Sequence, residues 1–372
     1  MMMADGGNTS SIVNELSNLW GETVDLVVCE SCDWCYVLPQ GVLPQRCPNC
    51  FNGDLKLLTP GPETQMICSR PPESYLPFSV SMERVLQNIQ EFASGPWFAP
   101  ADLNPATLRQ RLKRVYWPMW LVDCNVRAAW EAEAGYDYEV VSHQDRYSDS
   151  QAGWTSQEIK ETRVRWEPRA GRLERSYTNI PAPALEGHRQ LVNRVRRFQL
   201  EQAQPYSQDA LRQAFVRVPD RSVEDAWPDA APAVQDAAAD ECRKAANAEH
   251  IRQFQWTPDY QNLNWTLLLL PVFTTYYLDD DQKPQQILIH GQNGYLSGVK
   301  RASMKRAQKT ALYIAIAAMV VFVLSLLVSG IGLVIPPLLA VGGIGIVAAV
   351  LLGAGAIMPL AIAWQVNRSA KD

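Results

Sequence analysis

Apolar positions recur at helical spacing from residue 81, alternate in strand fashion through the middle of the chain, and run unbroken near its C-terminal end. Ser81 is placed to cap a helix carrying Met82, Val85, Ile89 and Phe92 on one face, with Gly95-Pro96 as the stop. Pro105 suits the first position of a second short helix that turns Leu108 and Leu112 inward. Residues 115–122 are rich in aromatic and branched side chains, and 125–130 continue the pattern, which predicts strand. Residues 159–166 and 172–180 alternate on either side of 167–171, a predicted hairpin. An alanine-rich helix is expected within 222–252, strongest over 234–249. Strands follow at 265–278, 286–290 and 295–298, with turns at 279–284 and 291–294. Helices followed by antiparallel strands predict an α+β body, and the segments around Trp117 and Val272 suit equivalent strands of two α-then-β units. Pro118 and Pro271 belong at sheet edges or bulges, because each removes a ladder donor.

The unbroken apolar stretch changes the picture. No charged side chain occurs from Thr310 to Trp364. Residues 311–328 form an 18-residue uncharged run, long enough to span about 27 Å as helix, close to the roughly 30 Å hydrocarbon core of a bilayer. Residues 338–364 offer a second span, and the glycines and Pro336-Pro337 between them predict a turn. The expectation is a two-helix transmembrane hairpin. A buried hairpin inside a soluble protein is the rival, but 55 uncharged residues offer a soluble core no polar outer face. Gly345, Ala349 and Gly353 recur every four residues, a small-residue face suited to close helix packing within the hairpin or between protomers of a homo-oligomer.

Charge supplies orientation. Lys300, Arg301, Lys305, Arg306 and Lys309 precede the first span, while Arg368 and Lys371 follow the second. Positive flanks and an uncharged turn place both termini in the cytoplasm of a cell whose inner (plasma) membrane holds the chain. The basic segment 300–309 is expected to meet anionic headgroups, each charge worth about 1 kcal/mol near the surface. Residues 300–372 carry a net charge of +6 and the preceding 299 residues −11. An acidic body is repelled by phosphate backbones, which disfavours nucleic acid as a partner. The first eleven residues lack the basic and apolar regions of a secretory signal, so the body is expected to stay cytoplasmic.

Four of the eight cysteines form two pairs, Cys29-Glu-Ser-Cys32 and Cys47-Pro-Asn-Cys50, separated by 14 residues. Each pair bends the chain into a knuckle that aims two thiolates at one tetrahedral centre, which predicts a zinc ribbon with Cys29, Cys32, Cys47 and Cys50 as ligands of a structural Zn2+. Cys32-Asp-Trp-Cys35 is an overlapping pair. Cys29 is preferred over Cys35 because Leu26, Val27 and Val28 lead into it as a strand enters a knuckle. A redox dithiol has no βαβ context here. Cys68, Cys124 and Cys242 read as small buried apolar residues. Ribbons often bind nucleic acid, but residues 26–59 carry net −1 and no basic aromatic stripe.

Catalytic motifs are missing. The sequence holds no phosphate-binding Gly-x-x-x-x-Gly-Lys loop, no His-Glu-x-x-His and no Gly-x-Ser-x-Gly elbow. His143, His188, His250 and His290 are scattered, and the run Asp279-Asp280-Asp281 reads as a solvated turn rather than a cation site. The expectation is a non-enzymatic protein; a nucleic-acid-binding ribbon at the membrane and an enzyme with a site assembled from scattered residues are the alternatives.

The cysteine pairs, Leu76-Pro-Phe78, residues 116–123, residues 269–273, and Ile289-His-Gly-Gln-Asn-Gly294 followed by Gly298 together resemble a family of bacterial membrane-anchored proteins with a TFIIB-type zinc ribbon. Its members often carry a primosomal or superfamily II helicase label. The resemblance covers most of 26–305, with His290 and Asn293 departing from the family's Asn-Gly-Gln-Thr-Gly turn. It implies a non-enzymatic scaffold or adaptor in a membrane complex, with envelope-stress or flotillin-type proteins as partners. The helicase label conflicts with the missing ATP-binding loop. The domain layout expected is a polar N-terminus (1–25), ribbon (26–59), linker (60–74), α+β body (75–299), basic segment (300–309), membrane hairpin (310–364) and cytoplasmic tail (365–372).

Overall fold

The computed structural model describes residues 24–39, 44–58, 71–95, 97–148, 153–207, 214–333 and 336–369. The expected linker falls largely outside these residues, as does Cys68. The protein is a mixed α+β chain with a large sheet, an N-terminal cysteine cluster and apolar C-terminal helices, divided into two compact units.

The first unit comprises 1–117, 189–218 and 269–372. It holds β1 (Val24–Cys29), β2 (Cys35–Pro39), β3 (Leu55–Leu57), β4 (Ser74–Tyr75), α1 (Met82–Ser94) and α2 (Pro105–Gln110), followed by the start of β5 (Lys113–Ser148). The sheet order is β11-β10-β9-β5-β8-β2-β1-β3, where β8 is Phe215–Arg217, β9 is His250–Leu278, β10 is Pro284–His290 and β11 is Leu296–Gly298, while β7 (Gln204–Pro205) pairs with β4. The cysteine-bearing strands therefore extend the sheet of the body: β2 pairs with β8 at Tyr36↔Arg217 and Val37↔Val216. One pair departs from the antiparallel expectation. β8 runs parallel to β5, with Val115 opposite Phe215, because a long excursion of chain separates the two strands.

Helix α1 forms where the sequence signals converge. Ser81 Oγ accepts the Arg84 N–H, and Val85, Ile89 and Phe92 are buried. Met82, grouped with that face from sequence, is exposed, since it lies in the first turn beyond the packed stripe. Asn104 caps α2 by accepting the Thr107 N–H, and Leu108 is fully buried. These side chains join Phe273, Tyr277, Ile287 and Ile289 in one core cluster; full burial of such a side chain contributes about 1.5–3 kcal/mol.

The second unit comprises 118–188 and 219–268. Its ribbon pairs β5 with β6 (Gly153–Pro183), from Met119↔Pro183 to Ser148↔Gly153. This corrects the hairpin expected around 167–171: β6 is continuous, and Pro168 lies opposite Glu133. Proline is tolerated here because β6, paired with β5 alone among the described residues, is an edge strand. Helix α4 (Val223–Ala245; α3 is His188–Val195) begins at a Ser222–Asp225 capping box and buries Ala226, Ala230, Val234 and Ala238. It stops earlier than expected: Asn247 adopts φ 51°, and Glu249 N–H donates to the Gly135 carbonyl, which turns the chain into strand. The first half of β9 was not expected from its polar sequence. Its alternation of half-buried residues is shifted around Gln253, whose φ of 53° interrupts the pleat.

Two long apolar helical stretches close the chain, spanning 304–331 and 337–369. They comprise α5 (Met304–Gly332), α6 (Pro336–Gly355) and α7 (Met358–Ser369). Gly342 faces Ser329, Gly345 faces Ser325, and Gly353 faces Ala318, so α5 and α6 run antiparallel along a seam of small residues. The face of Gly345, Ala349 and Gly353 is thus engaged inside the chain, with Ala349 buried. The second stretch, expected as one helix, is interrupted at Ala356-Ile357. Pro359 has no N–H for the Gly355 carbonyl and its ring crowds that turn, which accounts for the break.

Candidate metal centre

Both cysteine pairs fold into the same local shape. The Cys29 carbonyl accepts N–H groups from Cys32 (3.4 Å) and Asp33 (2.8 Å), and the Cys47 carbonyl accepts that of Phe51 (3.0 Å). The residue four positions after the first cysteine is left-handed in each knuckle: Asp33 at φ 55° and Phe51 at φ 65°. That reversal turns both sulfurs of a pair to the same side.

The four sulfurs of Cys29, Cys32, Cys47 and Cys50 all lie within 4.8 Å of one another. Cys29 Sγ is 3.4 Å from Cys50 Sγ, and Cys32 Sγ is 3.8 Å from Cys47 Sγ. Tetrahedral thiolate sites with metal–sulfur bonds of about 2.3 Å have sulfur–sulfur edges of about 3.8 Å. The donor set and its spacing fit a metal ion, which these four residues would hold with no open coordination position. Cys35 begins β2 outside the cluster and packs beside Val37 and Val216.

Without a cation, four thiols this close cannot ionise together. Hydrogen bonding with Cys47 holds Cys32 down at about 5 despite its burial. Cys47 is pushed far up by its pairing with Cys32 and by burial. Burial raises Cys50 to about 12. A bound cation removes this conflict by favouring every thiolate at once.

Surrounding donors complete the site, and most were not visible in the sequence. The Tyr36 hydroxyl lies 3.1 Å from Cys47 Sγ, and burial holds this phenol protonated, so it donates. Asn49 directs its backbone N–H at Cys47 Sγ (3.3 Å) and its amide at Cys32 Sγ (3.6 Å). Arg217, itself buried, lies 3.6 Å over the Trp34 ring. The second knuckle docks on the sheet: Thr274 Oγ1 donates to the Pro48 carbonyl (3.1 Å), and Gln286 Nε2 to Asn49 Oδ1 (3.3 Å).

Other candidates resolve into structural roles. His290 is buried; its Nδ1 accepts the Gln292 N–H (3.0 Å) and its Nε2 donates to the Arg197 carbonyl (3.2 Å), which pins the turn before Gly294. Burial lowers the pKa of His290 and brings that of His188 down to about 4, the Arg221 charge adding to the latter. His250 pairs with Asp137 on an exposed surface, and His143 is exposed. Asp279 accepts N–H groups from Asp281 and Lys283 and the Gln285 amide, so its carboxylate is spent on its own turn. Cys124 and Cys242 are buried.

The basic segment is partly committed to the body. Arg301 Nε donates to Gln285, Lys305 binds Asp280 through both its backbone N–H and Nζ, and Arg306 donates to the Ala99 carbonyl. An open groove of about 550 Å³ along α1 is lined by Arg84, Glu91, Arg196, Tyr295 and Lys300, without a nucleophile beside a base. Comparison of this chain with protein-family models, curated proteins and solved structures finds no match.

Proposed function

We propose that this protein is a non-enzymatic, membrane-anchored scaffold or adaptor, with α5 and the α6–α7 stretch crossing the bilayer as a hairpin and a structural zinc ribbon in the cytoplasm. The observation that carries the anchor is exposure. Met319, Leu327, Ile344 and Leu351 are each more than 60% exposed on helices of strongly apolar sequence. Such surfaces are stable only when lipid or protein covers them. The helices are neither buried like those of a soluble core nor placed near the N-terminus like a secretory signal. Positive charge on both flanks and none at the turn favours cytoplasmic termini at the inner membrane, with anionic headgroups meeting the basic segment.

Zinc suits a closed set of four thiolates, and in such a site it holds a fold together rather than activating water. Docking of the second knuckle on β9 and β10 makes the metal a brace for the sheet. Partner contacts then fall to the ribbon surface and the open sheet edges, and the resemblance to TFIIB-type zinc-ribbon membrane proteins suggests flotillin-type or envelope-stress proteins as partners. Purification of the full chain from native membranes in mild detergent tests the proposal. A stoichiometric membrane protein partner supports it; recovery of this chain alone, after crosslinking in the same membranes, contradicts it.

A further inference from the structure

The body and the apolar helices meet in a locked joint. The Ala302 N–H donates to Asn367 Oδ1 (2.9 Å) and Asn367 Nδ2 donates back to the Ala302 carbonyl (3.0 Å). The Ser303 N–H donates to the Phe98 carbonyl (2.7 Å), and Arg306 Nη1 to the Ala99 carbonyl (2.9 Å). Buried Ala302, Ala307 and Ala363 pack there with Phe98, Met304, Leu360 and Val366. Phe98 is left-handed, at φ 59°. The segment 97–100 is therefore fastened to the base of α5.

The side chain preceding Phe98 has no such cover. Trp97 is 71% exposed, more than any other large apolar side chain of the described body, where Leu57, Tyr138 and Val141 come next at 46%. Its neighbours set its depth. Phe98 packs against the cluster of Ala302, Ala307 and Ala363. Ala307 lies three residues, about 4.5 Å of helix rise, from the start of the uncharged stretch at Thr310. On the other helical stretch Trp364 is 56% exposed and Arg368 lies 5.3 Å over its ring. Exposed tryptophans beside basic residues at the ends of an apolar span sit favourably in the headgroup layer, where the ring leaves water while its N–H stays hydrogen-bonded.

We propose that the segment 97–100 is a third membrane contact, in which the Trp97 indole inserts into the headgroup layer of the leaflet facing the body. This rests on reading the apolar helices as membrane-spanning. The contact fixes the tilt of the body against the bilayer, since the joint transmits the depth of Trp97 to the sheet through Tyr277, whose hydroxyl donates to the Val299 carbonyl (2.7 Å) and accepts the Arg301 N–H (2.9 Å).

The test uses the full chain with an environment-sensitive fluorescent amino acid at position 97, and separately at exposed Glu83, in liposomes of phosphatidylethanolamine and phosphatidylglycerol. Flotation is measured first. The inference expects floating protein with blue-shifted emission from position 97, loss of that emission to a headgroup-attached quencher, and little loss to aqueous iodide; position 83 should show the reverse. Floating protein with position 97 quenched by iodide like position 83 overturns the contact and leaves the anchor standing. Position 97 shielded from both quenchers means a second copy covers it, which also overturns the contact. Protein that does not float overturns anchor and contact together.

Discussion

The Phe51 ring stacks on Tyr276, with 4.1 Å between centroids and 22° between planes. Phe51 is the left-handed residue that closes the second knuckle, and Tyr276 belongs to β9, with Arg111 4.5 Å over the Tyr276 ring. The stack thus couples the sulfur cluster to the sheet. Phe51→Ala should destabilise the first unit by about 3–5 kcal/mol, and a Phe51→Ala/Tyr276→Ala double-mutant cycle should retain a coupling of about 0.5–1.5 kcal/mol. Urea unfolding measures both, and chelator-driven metal release should quicken in each single variant.

Ligand identity has a sharp contrast built in. Serine at Cys29, Cys32, Cys47 or Cys50 should abolish stoichiometric zinc, whereas Cys35→Ser should retain one zinc per chain, because Cys35 sits in β2 outside the sulfur cluster. Elemental analysis of purified protein checks this. Chelation of the wild type should loosen β1, β2 and β3 first, read as faster amide exchange there.

Acid should weaken the fold through histidines held neutral. His188, the first residue of α3, is brought down to about 4 by burial and by the Arg221 charge, against about 6.5 in an unfolded chain. Between those values the unfolded state binds more protons, so the contribution of His188 is fully present above about pH 6.5. It is lost as pH falls toward about 4. His290 acts in the same direction. The urea midpoint should therefore drop more between pH 7 and pH 5 in the wild type than in His188→Gln; equal drops would contradict the assignment.

Two neighbouring glycines separate packing from composition. A Cβ at Gly345 would meet the Ser325 side chain across the α5–α6 seam, while one at Gly343 would meet nothing within 4 Å. Gly345→Ile should cost about 1–3 kcal/mol by overpacking and lower the melting temperature in detergent. Gly343→Ile should leave it near the wild-type value.

Local signals made much of this legible from sequence. The knuckles, the Ser81 cap, Pro105 at the start of α2 and the two apolar stretches depend on residues close together in the chain, and each appears at its expected place. What failed was decided by distant partners. Pro168 to Gly171 looks like a turn, but an open strand edge and the adjoining Trp130 ring accommodate it in continuous β6. The polar first half of β9 is strand because it packs Phe254, Trp256 and Tyr260 beside α4 residues Val234 and Ala238. The groups around the sulfurs divide in the same way: the donor Asn49 lies inside the motif, whereas the Tyr36 hydroxyl and the Arg217 that covers Trp34 reach the site through strand register.

The central claim is that the apolar helices cross a bilayer with the body and the C-terminus on the cytoplasmic side. A dual reporter of alkaline phosphatase and a fluorescent protein fused after Asp372, assayed in intact bacterial cells, measures it directly. Membrane-bound fluorescence without phosphatase activity is the predicted result; active phosphatase, or fluorescence free in the supernatant after lysis without detergent, would contradict it.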